Sequence, residues 1–478
     1  AMQFTSQLLS DSEKERIHTD TLKILETVGV RYYSKKALKL LEDAGARVDY
    51  GEKIARIPPA LAEHALDIAP KAFTLGARNP QHDYPLPSPV TRYCIDGTGA
   101  FVQDFHTGER RYSENRDNEQ ALRVFQAMDM GVMVWAPVAA ADKPAHARPL
   151  HEWGAAIRFC SKHGQHEIHT PEQAPFLAEM LLAALGSEDE VKRRRAYSLI
   201  YCPVSPLMHD GPMMDAYLEM GALDLPVMIL PMPVAGTTGP ASLFSNICLA
   251  NAENLSSIVV FQLAHPARPM IYSSATGTMD MRNGAYVAGS PEMGLMSAAL
   301  VEMGRFYGLP STSAGCTADA RHPGPDAVLE KMITALAPAL CGSDIIVGFG
   351  ELESDQLLLL EQVVVDNEIA RFCERLCRGV DSSPQRSLTE DLLAIQPGGN
   401  FLTRKSTRQL ARSDEFLQAA LLDHHTFEQW AQLGKPSMYS NARKKVEEIL
   451  AAPVQDPVSD ETTQKLEEIL AKADAELG

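Results

Sequence analysis

The sequence predicts an α/β fold whose main part is a TIM (β/α)₈ barrel, with helical N-terminal and C-terminal extensions. Three observations support this prediction. Short, almost continuously apolar runs recur after residue 113, single amphipathic helices separate them, and seven such runs can be read as strands. Parallel strands covered by helices show this pattern, and eight units within about 250 to 300 residues are typical of the barrel.

The predicted barrel strands are 132–136, 166–170, 197–201, 227–231, 270–274, 311–315 and 345–349. An eighth strand within the segment GGNFLT, 398–403, would complete the barrel. A doubly wound open sheet is the alternative arrangement. However, no GxGxxG motif follows the first strand, so the phosphate-binding turn of a dinucleotide fold is missing.

Four segments follow from these patterns. Residues 1–70 have helical periodicity, and residues 71–112 read as a β-hairpin segment with a turn at HTG, 106–108. Residues 113–410 hold the predicted barrel, and residues 411–478 are helical and charged. We expect this last segment to pack outside the barrel or on a second copy of the chain.

Composition excludes several classes of function. The 44 basic and 62 acidic residues give a net charge of −18, which argues against binding to nucleic acid or to an anionic membrane surface. No run of eighteen uncharged apolar residues and no signal peptide are visible, which predicts a cytoplasmic location. The eight cysteines lack a framework spacing, so reduced thiols are expected.

The segment SDIIVGFGELES, 343–354, raises the question of function, because a buried strand ends there in glycines and carboxylates. In a barrel, residues that follow the strands line the catalytic mouth. Here prolines and aromatic residues dominate, with neither a lysine for a Schiff base nor a row of carboxylates for magnesium. His163, His166 and His169 could suggest zinc, but alternating strand positions place them on opposite faces, so we expect no metal.

Several motifs in order resemble one known family. The segments PVSPLMHDGPMMD, TGTMDMRNGAYVAGSPE, GLPSTSAGCTADARHPGPDA, VGFGELES and LEQVVVDNEIAR are similar to the trimethylamine methyltransferase family, specifically its non-pyrrolysine, glycine betaine:corrinoid branch. The resemblance covers most of the chain and implies a TIM barrel. It also implies methyl transfer to cob(I)alamin on a partner corrinoid protein, with dimethylglycine and methylcobalamin as products when the substrate is glycine betaine.

The resemblance places Phe349 at or near the position of pyrrolysine in the family members that have it. The resemblance implies that pyrrolysine activates the neutral amine, whereas a quaternary substrate already carries a neutral leaving group. We therefore expect a quaternary amine to be demethylated and trimethylamine not to be. Attack on a methyl group needs orientation and exclusion of water rather than a general base, so no catalytic side chain is assigned.

Aromatic faces and carboxylates are the expected partners of the quaternary ammonium, and a betaine carboxylate requires cationic or hydrogen-bonding groups. The candidates are Phe349, Tyr93 and Tyr201 for the aromatic cage, Asp96, Glu351 and Glu353 for negative charge, and Arg321, His322 and His209 for the carboxylate. Each has a structural alternative. Phe349 could be a core residue, Tyr93 and Asp96 parts of a hairpin, Tyr201 a barrel-layer residue, and Glu351 or Glu353 a partner of an arginine.

The sequence thus predicts a corrinoid-dependent quaternary amine methyltransferase, with glycine betaine as the favoured substrate and a homo-oligomeric assembly. Carnitine, proline betaine and butyrobetaine are alternative substrates, because they need pockets of different length and the sequence alone does not reveal the pocket length. A non-catalytic betaine-binding or amine-binding barrel is the alternative from another class of function.

Overall fold

The computed structural model describes residues 4–478 of the chain. The helices are α1 Asp11–Thr27, α2 Lys35–Asp43, α3 Pro59–Ile68, α4 Asn115–Gln126, α5 Arg148–Phe159, α6 Ala174–Leu185, α7 Glu188–Arg194, α8 Gly211–Met220, α9 Leu243–Ala264, α10 Pro291–Phe306, α11 Pro325–Leu340, α12 Leu360–Arg378, α13 Thr389–Leu393, α14 Lys405–Leu410, α15 Phe427–Gln432, α16 Met438–Ala451 and α17 Asp460–Leu477.

The strands are β1 Val30–Tyr32, β2 Arg47–Asp49, β3 Ile54–Arg56, β4 Phe73–Leu75, β5 Tyr84–Leu86, β6 Arg92–Ile95, β7 Phe101–Gln103, β8 Arg110–Tyr112, β9 Gly131–Trp135, β10 His163–His166, β11 Tyr197–Tyr201, β12 Met208–His209, β13 Val227–Ile229, β14 Met270–Tyr272, β15 Thr278–Asp280, β16 Ala285–Val287, β17 Ser313–Ala314, β18 Ile345–Phe349, β19 Glu351–Leu352 and β20 Leu357–Leu358.

Eight parallel strands form the central sheet. Their order is β14-β13-β11-β10-β9-β6-β18-β17, and every neighbouring pair is parallel. A parallel bridge between Tyr272 and Ser311 joins the two ends of this order. The amide of Ala314 also donates to the carbonyl of Ser274 at 2.7 Å. The sheet therefore curls round until its first and last strands meet.

The position predicted for the eighth strand is wrong. Residues 398–403 lie outside the sheet in an exposed, irregular segment, and β6, assigned from sequence to the hairpin segment 71–112, takes the place between β9 and β18. The second predicted strand also begins earlier than expected, at His163–His166 instead of 166–170. Both strands are only four residues long, and β10 reads HGQH, so a search for apolar runs passes over it.

Alternate residues of each strand face two different cores. Cys94, Met133 and Val347 pack inside the curled sheet. Tyr93, Ile346 and Phe349 instead pack between the sheet and its helices, with α4 and α12. Because both faces of the strands are buried, apolar character alone does not reveal which residues point inward.

The segments on either side of the sheet contain more than helices. β1 to β3 form a small sheet with β12, so the predicted helical segment 1–70 is a mixed one. The hairpin of β4 and β5 contributes Phe73 and Leu75 to the inner core. At the C-terminus, α16 packs on α12 and α17 packs on α6.

Among the described residues, one helix is long and apolar enough to cross a membrane, Leu243–Ala264. Its apolar stretch is 89% buried inside the protein, and it packs against α1 and α3. This helix is therefore a core element of the fold.

Candidate functional site

Loops that follow three neighbouring strands meet at one end of the central sheet. The amide of Asp96, after β6, donates to the carbonyl of Phe349 at the end of β18 at 3.1 Å. The amide of Glu353, after β18, donates to Ala320, after β17, at 3.0 Å. Since the carboxyl ends of parallel strands lie at the same edge, these loops form the part of the fold where ligands bind in open and closed α/β sheets.

Three carboxyl groups come together in these loops. Glu351 is fully buried, and neither of its carboxylate oxygens has a hydrogen-bond partner within residues 4–478. One of these oxygens lies against Gly99, where a Cβ atom would be 2.8 Å from it. Asp96 is 6% exposed and accepts the amide of Gly97 at 2.9 Å. Asp355 is the third group, and its Oδ1 is buried without a partner.

The backbone turns sharply to bring Asp355 back toward Asp96. Glu353, Ser354 and Asp355 have φ values of 53°, 54° and 66°, three consecutive non-glycine residues in the left-handed region. Such residues are uncommon and cost about 1 to 3 kcal/mol each, and they concentrate at functional sites. This turn places the carboxyl groups of Asp96 and Asp355 within hydrogen-bonding reach of each other.

Burial and mutual repulsion raise the pKa of all three carboxyl groups. Burial raises the pKa of Asp96, and it raises the pKa of Asp355 well above its usual range with help from the charge of Asp96. Burial, followed by the charges of Asp96 and Asp355, likewise raises the pKa of Glu351 well above its usual range. Two carboxyl groups buried at hydrogen-bonding distance repel each other when both are charged, which favours protonation of one of them.

The nearby cation is engaged elsewhere. Lys331 of α11 is fully buried and donates from Nζ to the carbonyls of Cys316 and Gly348 and to Asp366 at 2.8 to 3.0 Å. Asp366 in turn accepts the amide of Gly350 at 2.7 Å. This pair ties together the ends of β17 and β18. The charge of Lys331 acts on the three-carboxyl cluster, Asp96, Glu351 and Asp355, but within residues 4–478 no cation forms an ion pair with these groups.

Two aromatic residues border this cluster. Trp135, at the end of β9, is 6% exposed and its Nε1 has no hydrogen-bond partner. Its ring lies beside Gly97, where a Cβ atom would be 2.9 Å from Cγ. Tyr286 of the β15–β16 hairpin packs its ring on Gly277. Burial, followed by the charges of Asp355, Asp319 and Asp96, raises the pKa of its hydroxyl.

The arrangement suits an organic cation. Buried carboxylates attract positive charge, and aromatic faces contribute about 0.5 to 2 kcal/mol each to an alkylated ammonium. No group of three or more histidine, cysteine, aspartate or glutamate side chains within residues 4–478 has the arrangement of a metal site. The three histidines considered from the sequence have separate surroundings, with His163 bonded to Ser198, His166 to Glu152 and His169 paired with Glu167.

Phe349 and Tyr93 do not line the mouth, so the prediction of a cage built from their rings is wrong. Both are essentially fully buried between the sheet and its helices, and their rings stack with centroids 5.0 Å apart. Phe125 of α4 adds an edge-to-face contact at 5.9 Å. The pairing register of β18 with β6 shifts between Val347 and Phe349, so the regular ladder between these two strands is interrupted there.

Tyr201 and His209 are also core residues rather than ligand contacts. The hydroxyl of Tyr201 and Nδ1 of His209 are 2.7 Å apart, and Nε2 of His209 lies 2.9 Å from the hydroxyl of Ser256. The imidazole stacks on Tyr32 with centroids 4.5 Å apart. Burial lowers the pKa of His209 to about 3, so a neutral imidazole is unsuited to hold a carboxylate.

The remaining candidates divide into two groups. Glu353 forms an ion pair with Arg110 at 2.8 Å and is therefore turned away from the three-carboxyl cluster. Arg321 and His322 are exposed on the loop after β17, and in the part of the chain that the structure describes they form no ion pair. The structure thus brings Asp96 and Glu351 together, and it leaves Arg321 and His322 near the rim.

Sequence reasoning missed Asp355, Trp135 and Tyr286. Asp355 stands four residues after Glu351 in GELESD. In the sequence it looks like an ordinary charged residue of a loop, and this was the signal that could have identified it. Trp135 follows Met133 by two positions in the same strand, and this alternation could have placed it inward. No local signal marks Tyr286, because a tertiary contact brings its hairpin over the mouth.

Comparisons with known proteins point in one direction. Residues 3–478 match the family described as Trimethylamine methyltransferase (MTTB). Trimethylamine methyltransferase MttB of Desulfitobacterium hafniense is 30% identical over 98% of this chain and 94% of its own length. Trimethylamine methyltransferase MttB of Methanosarcina barkeri is 31% identical over 98% and 95%. Glycine betaine methyltransferase of Desulfitobacterium hafniense is 29% identical over 98% of both chains.

Solved structures agree on the fold. The hydroxylamine complex of MtmB superposes with a TM-score of 0.51 at 12% identity, covering 95% of this chain and 89% of the other. The Methanosarcina barkeri monomethylamine methyltransferase (MtmB) gives a TM-score of 0.50, also at 12% identity, over 96% and 91%. At this identity the similarity concerns the arrangement of the backbone.

Proposed function

We propose that this chain, which belongs to the trimethylamine methyltransferase family, transfers a methyl group from a quaternary amine to cob(I)alamin carried by a corrinoid protein. Glycine betaine is the favoured substrate. The chain itself supplies the site for the amine. We also infer that the curled eight-stranded sheet is a complete (β/α)₈ barrel, and that the corrinoid protein docks at the end where the loops of β6, β17 and β18 meet.

The observation that carries the proposal is the uncompensated three-carboxyl cluster. Glu351 is fully buried with two unpartnered oxygens, and Asp96 and Asp355 lie beside it. Leaving a buried polar group unsatisfied costs about 1 to 3 kcal/mol, so a fold retains such a cluster at a place where a ligand satisfies it. A quaternary ammonium supplies positive charge over a large apolar surface, which matches carboxylates bordered by Trp135 and Tyr286.

The reaction places simple demands on these residues. A methyl carbon accepts an electron pair from cobalt while its bond to nitrogen breaks, and the nitrogen keeps the bonding pair and becomes a neutral amine. No proton has to move for this step. The chain must hold the ammonium group, direct one methyl group toward the open mouth and exclude water, and rigid loops provide these effects through orientation.

The absence of pyrrolysine supports a quaternary substrate. Every position of the 478-residue sequence is one of the twenty standard residues, so the segment VGFGELES has no such residue in any alignment register. This argument does not depend on the orientation of Phe349. A quaternary ammonium needs no activation because it already leaves as a neutral amine, whereas trimethylamine lacks a comparable leaving group.

The preference for glycine betaine rests on both ends of the substrate. Its ammonium group suits the three-carboxyl cluster, and its carboxylate requires a positive group at the rim, for which Arg321 and His322 are the available side chains. Carnitine, proline betaine and butyrobetaine place the carboxylate at other distances. They are the alternative substrates, and a barrel that binds a betaine without transferring its methyl group is the alternative function.

Assembly is part of the proposal. We expect a homo-oligomer, because large apolar side chains are exposed on the C-terminal third of the chain. We also expect the protein to act in the cytoplasm. Val380 is 81% exposed, Leu393 75% and Leu402 81%. Exposed apolar surface of this kind marks contact sites between proteins.

The test is a spectral assay of cobalt methylation. Protein, cob(I)alamin and each amine are mixed without oxygen, and loss of cob(I)alamin absorbance is compared with gain of methylcobalamin. We expect methylation with glycine betaine and none with trimethylamine. Turnover of trimethylamine, or no turnover with any of the four betaines, would contradict the proposal. Binding of a betaine with an unchanged cobalt spectrum would identify the non-catalytic alternative.

A matched pair of variants tests the site itself. We expect Asp96→Asn to lower kcat/KM for the betaine by at least about tenfold, equivalent to about 1.4 kcal/mol, because it removes a buried charge without changing the shape. Asp280→Asn is the control. It removes a carboxylate of the β15–β16 hairpin that pairs with the exposed Arg282 at 2.8 Å, so its rate should match the wild type.

A further inference from the structure

The carboxyl groups of Asp96 and Asp355 belong to two different loops, yet they lie close enough to hydrogen-bond to each other. A carboxylate has only acceptor atoms, so two carboxyl groups can share a hydrogen bond only when one of them carries a proton. The Oδ1 atom of Asp355 and both oxygens of Glu351 remain buried without a partner. The cluster therefore combines a shared proton with unused acceptor atoms.

We propose that Asp96 and Asp355 share a proton when the site is empty, and that the alkylated ammonium group of the substrate binds in exchange for this proton. The pair thereby determines specificity, because it selects the positive charge of the head group and not only its shape. This inference rests on the proposed cation site and adds the chemistry by which the site chooses its ligand.

The charges balance in this exchange. One positive charge enters as the ammonium group, and one leaves as a proton taken up by the buffer, so the net charge of the buried site is unchanged. A site that kept its proton would meet the cation with less negative charge. A site that stayed fully ionised when empty would hold three carboxylates together without a counter-ion, which a buried environment disfavours.

The groups around the pair favour this assignment. Lys331 is the cation among them, and Asp366 neutralises it at 2.8 Å. Asp319 accepts the amides of Ala288 and Gly289 at 2.7 and 2.8 Å.

The remaining neighbours are Glu351 and the hydroxyl of Tyr286. Burial raises the pKa of both, which keeps Tyr286 neutral and favours the protonated form of Glu351 in the empty site. Burial, followed by the charge of Asp96, raises the pKa of Asp355 well above its usual range.

An isostere whose head group is uncharged separates charge from shape. 3,3-Dimethylbutyrate has the same outline as glycine betaine, with carbon in place of the charged nitrogen, and tetramethylammonium carries only the charged head group. The full chain is titrated with each compound by calorimetry in phosphate and in Tris at the same pH. The different ionisation enthalpies of the two buffers then give the number of protons exchanged.

We expect glycine betaine and tetramethylammonium each to release about one proton on binding. Their affinity should rise by up to about tenfold per pH unit over the range in which Asp96 and Asp355 titrate. The isostere should bind more weakly, release no proton and show no such pH dependence. Failure of both cations to bind, binding without proton release, or equal affinity of the isostere and glycine betaine would overturn the inference.

Variants assign the proton to its residue. Asp355→Asn should reduce the number of released protons to near zero and flatten the pH dependence, whereas Asp280→Asn should leave both unchanged. If Asp355→Asn does not fold, the wild-type comparison of cation and isostere decides the question alone. Proton release with tetramethylammonium in the absence of any methylcobalamin formation would leave this inference standing while the proposed methyl transfer fails.

Discussion

A substitution at Phe349 tests whether this residue belongs to the core or contacts the substrate. The sequence placed its ring on the substrate, whereas the structure buries it completely against Tyr93 and Phe125, with centroids 5.0 and 5.9 Å away. Replacing a fully buried phenylalanine by alanine costs about 3 to 5 kcal/mol, through lost transfer free energy and the cavity left behind. We expect Phe349→Ala to be destabilised by this amount.

The expected change in melting temperature follows from the size of the protein. An unfolding entropy of about 2.1 cal/mol/K per residue amounts to about 1 kcal/mol/K for a 478-residue chain. A loss of about 3 to 5 kcal/mol therefore lowers the melting temperature by about 3 to 5 °C. Glu351 lies only two positions after Phe349, so a cavity at Phe349 forms close to the three-carboxyl cluster. Phe349→Leu keeps most of the buried volume and is therefore a suitable control.

The assay measures thermal unfolding and betaine-dependent methylcobalamin formation on the same preparations, with rates normalised to folded protein. We expect Phe349→Ala to lose stability and to keep most of its rate per folded molecule, and Phe349→Leu to lie close to the wild type in both. An unchanged melting temperature together with a large loss of substrate affinity would refute the core assignment and return the ring to the substrate.

Three further predictions concern burial, charge and assembly. Lys331→Met should destabilise the protein by about 3 to 5 kcal/mol in urea unfolding, because it leaves Asp366 buried without its partner, and the double variant with Asp366→Leu should recover much of the loss. Burial raises the pKa of Glu253 from 4.5 to about 7, so its contribution to stability is present below pH 4.5 and is lost as the pH rises through 7. Glu253→Gln should therefore flatten stability profiles across this interval, and an unaltered profile would exclude the assignment. Light scattering should give a mass above that of the 52.3 kDa monomer, and a monomer at all concentrations would contradict the proposed oligomer.

The alternation of apolar runs and amphipathic helices was sufficient to predict a parallel sheet covered by helices. This signal is reliable because a strand that is buried on both faces must be apolar along most of its length. It failed for the two four-residue strands, β6 and β10, where the run is too short or too polar to stand out. The segment 398–403 was then used in place of β6.

The sequence also indicated two of the three carboxyl groups of the cluster. Glu351 was selected because it follows a predicted strand, Asp96 was selected from the hairpin segment before the predicted barrel, and the structure brings the two together in one buried cluster. Strand ends are predictable because all parallel strands finish at the same edge of the sheet. The third carboxyl group could not be found in this way, because Asp355 reaches the cluster through three consecutive left-handed residues that no composition rule predicts.

The direction of each side chain was decided by tertiary structure alone. Phe349 and Tyr93 have the residue types of a cation cage, and they stack in the core because their positions in β18 and β6 face the helices. In strands with two buried faces, hydrophobicity is equal on both sides, so only the register of the closed sheet and its irregularity after Val347 determine which side faces the mouth. The sequence by itself therefore determined a parallel sheet covered by helices and two of the three clustered carboxyl groups, and the packing of the curled sheet determined which aromatic rings border the cluster.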